Sequence, residues 1–361
     1  MKKTFRIICL VIAVSVIASC FTSCKSKAAM TLDGYELDYD VYKWIVSYCK
    51  TEEYNTYLSY LNQAGEDISL YDLTSYNFWQ GKYGGEERTL AEIVKEEAIV
   101  VAKSYISADK LFDENGLKIT DEDEENIKNA IETIDKGMQQ QSGTTLKDYL
   151  KKYDVSIETY RKILTYQYKT NKLLNKLMSP GGRYEVTDKM VTDAYDSTVE
   201  AYGYSNVNHI LIYTVEFDKD GKSTPVSDEK HDEIKDYVQK IYDSIESGEA
   251  AFEDYLEISQ DKYSPDGYLV NINTSMTEDF VENSIKMKIG EVRMIESEGI
   301  GFHIIKKYDI TDAQKTEIED FIKENLETEA QERILNINYD KIEINDELIS
   351  ECDPVYAQLL L

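Results

Sequence analysis

Histidine is scarce in this chain of 361 residues: only His209, His231 and His303 occur. No CxxC pair is present, and no group of cysteines and histidines has metal-ligand spacing. The common zinc and iron–sulfur frameworks are thereby excluded, and no metal or other cofactor is expected. Basic residues are also short, with 40 lysines and arginines against 69 aspartates and glutamates, a net charge of −29. That surplus repels phosphate backbones and anionic lipid surfaces, which argues against nucleic acid as a partner. After Ile17 no apolar run approaches about eighteen residues, the length a membrane-crossing helix needs. The alternating βα pattern of two-lobed solute receptors is missing as well. Tryptophan appears 2 times and tyrosine 29 times. Tyrosine joins an apolar ring to a polar tip, which suits loose peptide contact and ordinary helix packing equally.

What is there begins with Lys2, Lys3 and Arg6, followed by an almost unbroken apolar run from Ile7 to Ile17. About eleven residues cannot span a ~30 Å hydrocarbon core as a helix, but they suit the core of a secretory signal. The run ends Ile17-Ala18-Ser19-Cys20, which resembles a bacterial lipobox. In lipoproteins of that kind the signal, here residues 1–19, is removed and the cysteine thiol is diacylated. The resemblance implies lipid on Cys20, with Cys24 of Phe21-Thr22-Ser23-Cys24 as the alternative. Ile17 suits the apolar position three before the cysteine better than Phe21 does. The implied location is extracytoplasmic, on the cell membrane and held there by lipid alone; two acyl chains suffice where one is marginal. Without residues 1–19 the chain keeps 37 of its 40 basic residues and all 69 acidic ones, a net charge near −32. Of the 5 cysteines, Cys49 and Cys352 then remain in folded sequence. Either they form a disulfide joining the two ends of the mature chain, which the compartment permits, or they are unrelated thiols.

About 340 mature residues predict two domains. Residues 20–30 read as a polar tether. From Thr31 to Met178 the pattern is helical, defining a domain over 31–183. Leu90, Ile93, Val94, Ile99, Val101, Tyr105, Ile106 and Phe112 share a broad apolar face that Asn115-Gly116 ends. Thr120 caps a helix carrying Ile127, Ile131 and Ile134, and the glutamine-rich stretch Gly137–Gly143 reads as a loop. Ser156 caps another helix reaching Met178, and Ser179-Pro180-Gly181-Gly182 is a hinge. A linker helix over 184–203 comes next. Then the period changes, because Val207, Ile210, Leu211, Ile212, Tyr213, Val215 and Phe217 make a β-rich run over 206–217. Helices are expected over 229–247, 251–259 and 277–287, and a strand over 301–308. This β-α-α-loop-α-β order predicts a small α+β domain over 204–309 whose first and last strands pair. Thr311 caps a last helix to about Leu335. With an extended acidic tail it forms segment 310–361, expected to pack on the first domain. The fold class is therefore α+β, a mainly helical module with a small α+β domain inserted.

Two of the three histidines occupy equivalent places in those terminal strands, in His209-Ile210-Leu211-Ile212 and His303-Ile304-Ile305. If the strands are neighbours, the imidazoles meet across the sheet and share one proton. His231 lies on the polar side of a charged helix and reads as surface. Five ordered blocks then resemble the parvulin (rotamase) family of peptidyl-prolyl isomerases. They are Val207–Leu211, Phe252–Asp261, Met276–Phe280, Lys288–Val292 and Gly301–Lys306. The flanking helices resemble those of PrsA- and SurA-like extracytoplasmic foldases. The resemblance implies a proline pocket at Leu269, Met276 and Phe280 and a catalytic polar cluster of His209, Asp261 and His303. Asp261 stands where some parvulins have cysteine. Implied partners are unfolded or partly folded exported polypeptides. Spacing alone favours ordinary core for the three apolar residues, a reading that only the family resemblance reverses, and the histidines fit a purely structural pair as well as a catalytic one. Two departures bear on activity. The family's Gly-Gly-Asp-Leu-Gly is here Asp266-Gly267-Tyr268-Leu269-Val270, and Glu298 and Ile300 occupy a turn that usually holds threonine or serine. An isomerase and a holdase with an inactive domain both fit this sequence.

Overall fold

The computed structural model describes residues 27–82, 87–219, 221–261, 264 and 267–360. The signal segment 1–19, Cys20 and Cys24 lie outside the described residues. Two compact units emerge, one running to Glu185 and resuming over Thr328–Leu361, the other spanning Val186–Glu327.

The first unit starts with a sheet where a tether and helix were expected. Strands β1 (Ala28–Leu32) and β2 (Tyr35–Asp38) form a hairpin, and Ala29 and Met30 are fully buried. The connection is the two-residue loop Asp33-Gly34, with φ of 47° and 91°. Positive φ at both loop residues is the twist that tight hairpins need, and Asp-Gly supplies it at low cost. The helices after it are α1 (Tyr39–Gln63), α2 (Tyr76–Trp79), α3 (Leu90–Glu114), α4 (Asp121–Ser142), α5 (Leu146–Lys151) and α6 (Ile157–Met178). Thr89 and Thr120 close capping boxes with Glu92 and Asp123. The stretch 137–142 is helix rather than loop. Glutamine is a good helix former, and the chain leaves α4 only at Gly143, whose φ is 69°.

The tail is folded, not extended. Strand β9 (Glu343–Ile344) adds to β1, and Lys50 clasps the chain near its C-terminal end. The buried Lys50 ammonium donates to Val355 O at 2.9 Å and Ala357 O at 2.8 Å and lies 4.6 Å from the Trp79 ring. Burial lowers the Lys50 pKa to about 8. Cys49 and Cys352 are free thiols; burial raises both, Cys352 to about 11.

The second unit holds α7 (Asp188–Tyr202), β3 (Ser205–Tyr213), β4 (Val215–Phe217), β5 (Ser223–Pro225) and α8 (Asp228–Glu246). A 3-10 segment over Phe252–Ile258 replaces the helix expected there. Then come β6 (Tyr268–Val270), α9 (Glu278–Lys286), β7 (Val292–Ser297), β8 (Gly301–Tyr308) and the start of α10 (Asp312–Leu335). The four-stranded antiparallel sheet has the order β6-β3-β8-β7. Pairing of the first and last strands, β3 with β8, is the expected closure. One face packs Ile210, Phe302 and Ile304 on Val238 and Ile241 of α8; the other packs Val207 and Ile305 on Phe280 of α9.

This unit is wider than 204–309. Val191 of α7 packs with Ile318 and Ile322 of α10, so the helix read as a linker and the first turns of α10 belong to it. Ile334 and Leu335, at the other end of α10, pack with Leu173 and Leu177 in the first unit. Apolar residues at both ends let one helix contribute to two cores.

Candidate functional site

The register of the central strands decides where the histidines meet. His209 pairs with Ile305 and Leu211 with His303, which makes the two histidines diagonal neighbours on one face. Diagonal partners in an antiparallel pair lie within reach of ring side chains. Their Nδ1 atoms are 2.9 Å apart and the rings are stacked, with centroids 5.1 Å apart and planes at 14°. Both side chains are buried.

Asp261 reaches the pair from a loop stitched to β3. The backbone pairing of β3 with β6 ends at Val207, opposite Tyr268. Beyond it, Gln260 N–H donates to Leu211 O at 2.8 Å, Leu211 N–H to Ser259 Oγ at 3.0 Å, and Tyr213 N–H to Gln260 Oε1 at 2.5 Å. These bonds set Asp261 Oδ2 3.0 Å from His209 Nε2. That contact fixes the hydrogens of the whole chain of groups. A carboxylate only accepts, so His209 Nε2–H donates to Asp261 and His209 Nδ1 is the acceptor. His303 Nδ1–H must donate to it, which leaves His303 Nε2 a bare lone pair. That nitrogen is buried and has no hydrogen-bond partner among the described residues. Burial lowers the pKa of both imidazoles, and the proximity of His209 helps push His303 down to about 3. The pair is neutral at physiological pH.

Phe280, buried to 1% exposure, forms the floor beside the pair. Its ring meets His209 edge-on at 4.9 Å and His303 at 5.2 Å. Met276 and Thr277, at the approach to α9, join it in lining an open cleft of about 430 Å³. His209, His303, Asp261, Met276 and Phe280 all line that cleft. Leu269 does not. Strand alternation turns it to the opposite side from Tyr268 and Val270, where it packs with Val191 and Ile318. Its assignment to the proline pocket is corrected on that ground. Sequence reasoning missed Leu211, Tyr213, Val215, Phe217 and Ile300, which extend the wall. The alternation His209, Leu211, Tyr213 along one strand face was the available signal. His231 Nε2–H donates to Glu296 Oε1 at 2.9 Å, and its ring lies 5.3 Å from Phe302, outside the cleft lining.

Of the departures from the family pattern, Asp266 lies outside the described residues and the others are accommodated. Gly267 keeps the conformation a glycine is needed for, with φ of 79°, and a Cβ there would lie 2.0 Å from Asn206 Oδ1. Val270 is fully buried against Phe280, and the Tyr268 ring sits edge-on to His209 at 5.4 Å. The missing turn hydroxyl has counterparts nearby, since Thr277 Oγ1 and Ser297 Oγ are 3.1 Å apart. Among the described residues no group of three or more histidine, cysteine or acidic side chains could hold a metal ion.

Residues 209–309 match the family model Rotamase, the PPIC-type PPIASE domain. No curated protein matches the chain. Solved structures similar to it include a peptidylprolyl isomerase (PrsA) from Bacillus cereus, 17% identical over 73% of this chain and 84% of that one, with a TM-score of 0.27. Peptidylprolyl isomerase (PrsA) from Bacillus anthracis is 21% identical over 70% and 95%, with a TM-score of 0.23. PrsA from Bacillus subtilis is 20% identical over 75% and 90%, with a TM-score of 0.21. Whole-chain likeness at these scores carries no argument; the domain match does. The chain carries a PPIC-type peptidyl-prolyl isomerase domain.

Proposed function

We propose that the protein is an extracytoplasmic foldase, held on the cell membrane by lipid on Cys20, that isomerises Xaa-Pro bonds in exported polypeptides. The observation that carries this reading is the neutral, buried His303–His209 pair that ends on Asp261 beside the Phe280 floor. Rotation about an Xaa-Pro bond is slow because amide resonance raises a barrier of about 18–20 kcal/mol. No covalent bond has to form. The proline ring sits on Met276 and Phe280, and the carbonyl of Xaa faces the Asp261 carboxylate. A planar amide places extra negative charge on that oxygen, and twisting returns the charge to nitrogen. A fixed negative charge beside the oxygen therefore disfavours the planar form more than the twisted one, which lowers the barrier. The imidazoles act by holding Asp261, since in the tautomers above neither has a free N–H to give the substrate.

Leader and composition support the location: the lipobox-like Ile17-Ala18-Ser19-Cys20 comes after a signal-like run, and no described helix is long and apolar enough to cross a membrane. Clients are unfolded or partly folded exported chains, which the isomerase domain and the helical first unit engage together. A protease-coupled or NMR exchange assay on short Xaa-Pro peptides tests the activity. A rate no higher than the uncatalysed one would leave a holdase with an inactive domain as the function.

A further inference from the structure

We propose that the first unit carries a docking surface for lysine- and arginine-rich segments of unfolded polypeptides, built from exposed tyrosines in acidic surroundings. The surface belongs wholly to that unit, so the inference stands whether or not the isomerase site turns over. Six tyrosines are exposed among the described residues, and four of them, Tyr60, Tyr71, Tyr76 and Tyr356, gather here, with exposures from 38% for Tyr71 to 72% for Tyr356. Ring contacts join them into a row. Tyr60 meets Tyr57 at 6.0 Å, Tyr57 meets Phe78 edge-on at 5.0 Å, and Tyr76, on the same short helix as Phe78, lies 6.2 Å from Tyr356. Tyr71, whose hydroxyl donates to Glu66 Oε2 at 3.1 Å, stands close to Tyr60. So many rings left in water on one folded surface are unusual unless something covers them.

Charge names the occupant. No lysine or arginine occurs from Thr51 to Gly81 or after Lys341, whereas the first stretch holds five acidic residues and the second another five. Glu66, Asp67 and Asp72 hydrogen-bond to Tyr71, Ser69 and Thr74, which are neutral, so their negative charge is left for a partner. Aromatic faces attract cations through the ring quadrupole, and the acids add a field of the same sense. The chain itself shows the pairing: the Lys50 ammonium lies 4.6 Å from the Trp79 ring, which adjoins Phe78 in the row. Anionic ligands are repelled by the same acids. Spacing favours a chain over a small cation. Successive rings stand 5.0–6.2 Å apart, close to the roughly 6.6–6.8 Å between alternate side chains of an extended peptide. One segment can therefore set several cations over several rings.

The experiment measures Kd by fluorescence anisotropy on the whole lipid-free chain, using labelled peptides of equal length in which Gly-Ser spacers separate repeated Arg, Lys, Leu or Glu. Each cation–π contact on an exposed ring gives a factor of roughly two to five. The Arg and Lys peptides should therefore bind about tenfold more tightly than the Leu and Glu peptides. Tyr60→Ser, Tyr76→Ser and Tyr356→Ser together should weaken the Arg peptide about tenfold. Glu66→Gln, Asp67→Asn and Asp72→Asn together should weaken it too and flatten its dependence on salt. All six side chains are exposed, so both variants should fold, as their melts will report. Should the tyrosine variant melt early, Tyr356→Ser alone must still cost a factor of about two to five. Equal affinity for the Arg and Glu peptides, tightest binding of the Leu peptide, or an Arg affinity untouched by loss of the tyrosines would each overturn the proposal. A chain that binds the Arg peptide but turns over no prolyl peptide upholds this surface and sinks the isomerase reading alone.

Discussion

Acid should destabilise the isomerase unit before it touches the rest of the chain. His209 and His303 both have folded pKa values below the ordinary histidine value of 6.5, because burial penalises their charged forms. The unfolded chain therefore takes up protons near pH 6.5 that the folded unit refuses until much lower pH. Stability from this source is intact above about pH 6.5 and falls as pH drops towards the folded values. His303, with a folded value of about 3, gives the magnitude. Between pH 6.5 and pH 5 it costs about 2 kcal/mol at 1.36 kcal/mol per pH unit, and His209 adds loss of the same sign. Carboxylates with lowered pKa values, such as Glu253 and Glu291, start from 4.5 and lose their contributions below that window. Native-state hydrogen exchange of β3 and β8 amides between pH 7 and pH 5 reads the effect. Trp44 and Trp79 both lie in the first unit, so their fluorescence serves as the control. Replacing both histidines by leucine avoids leaving an orphaned imidazole and should abolish the slope. A flat stability for β3 and β8 over this range, or an unchanged slope in the double variant, would refute neutral burial of the pair.

Phe280→Ala empties a fully buried ring site and should cost about 3–5 kcal/mol; Phe280→Leu should preserve the fold yet raise the KM for prolyl peptides, read by steady-state assay. Asp261→Asn keeps a hydrogen-bond acceptor for His209 but removes the charge, so kcat should fall with little change in peptide affinity; an unchanged rate in a folded variant ends the role assigned to Asp261. Mass spectrometry of the N-terminal peptide should find diacylated Cys20, whereas a lipidated Cys24 with Cys20 absent would contradict the leader reading. Excising 186–327 and bridging Glu185 to Thr328 with a flexible linker should leave a helical protein with a cooperative melt followed by tryptophan fluorescence, and a melt without cooperativity would sink the idea of an inserted domain.

The candidate residues were legible where residue types stand in a fixed order along the chain. His209, Asp261, Met276, Phe280 and His303 came from ordered blocks, and the structure gathers all five around one cleft. Leu269 was misplaced because a block match gives position along a strand but not which face a side chain takes; a strand with one neighbour in each of two cores hides that choice. The β1–β2 hairpin was missed although Asp33-Gly34 between Leu32 and Tyr35 is a strong tight-turn signal. Its strands are short, and their third partner, β9, comes from more than 300 residues away. No local pattern reports such a partner. The tail was read as extended for the same reason, since its anchors, Lys50 and the Trp79 ring, lie near the other end of the chain.

The hydrogen-bond order also divides labour within the polar cluster. A pair that donated to substrate would need an N–H pointing into the cleft. Here one N–H is spent on Asp261 and the other on the neighbouring ring. What remains is the bare Nε2 of His303, an acceptor, which offers nothing to a carbonyl oxygen. A buried unsatisfied nitrogen of this kind costs about 1–3 kcal/mol. Reversing the tautomers would not relieve it, because His303 Nε2–H would still lack a partner among the described residues, and the His209 Nε2 lone pair would then face Asp261 in place of the bond that fixes the carboxylate. The expense therefore sits where the carboxylate is held. On the proposed mechanism the action on the substrate falls to Asp261, with the histidines as positioning residues. On this account a pH–rate profile should stay level from pH 8 down to the point where the unit itself begins to unfold.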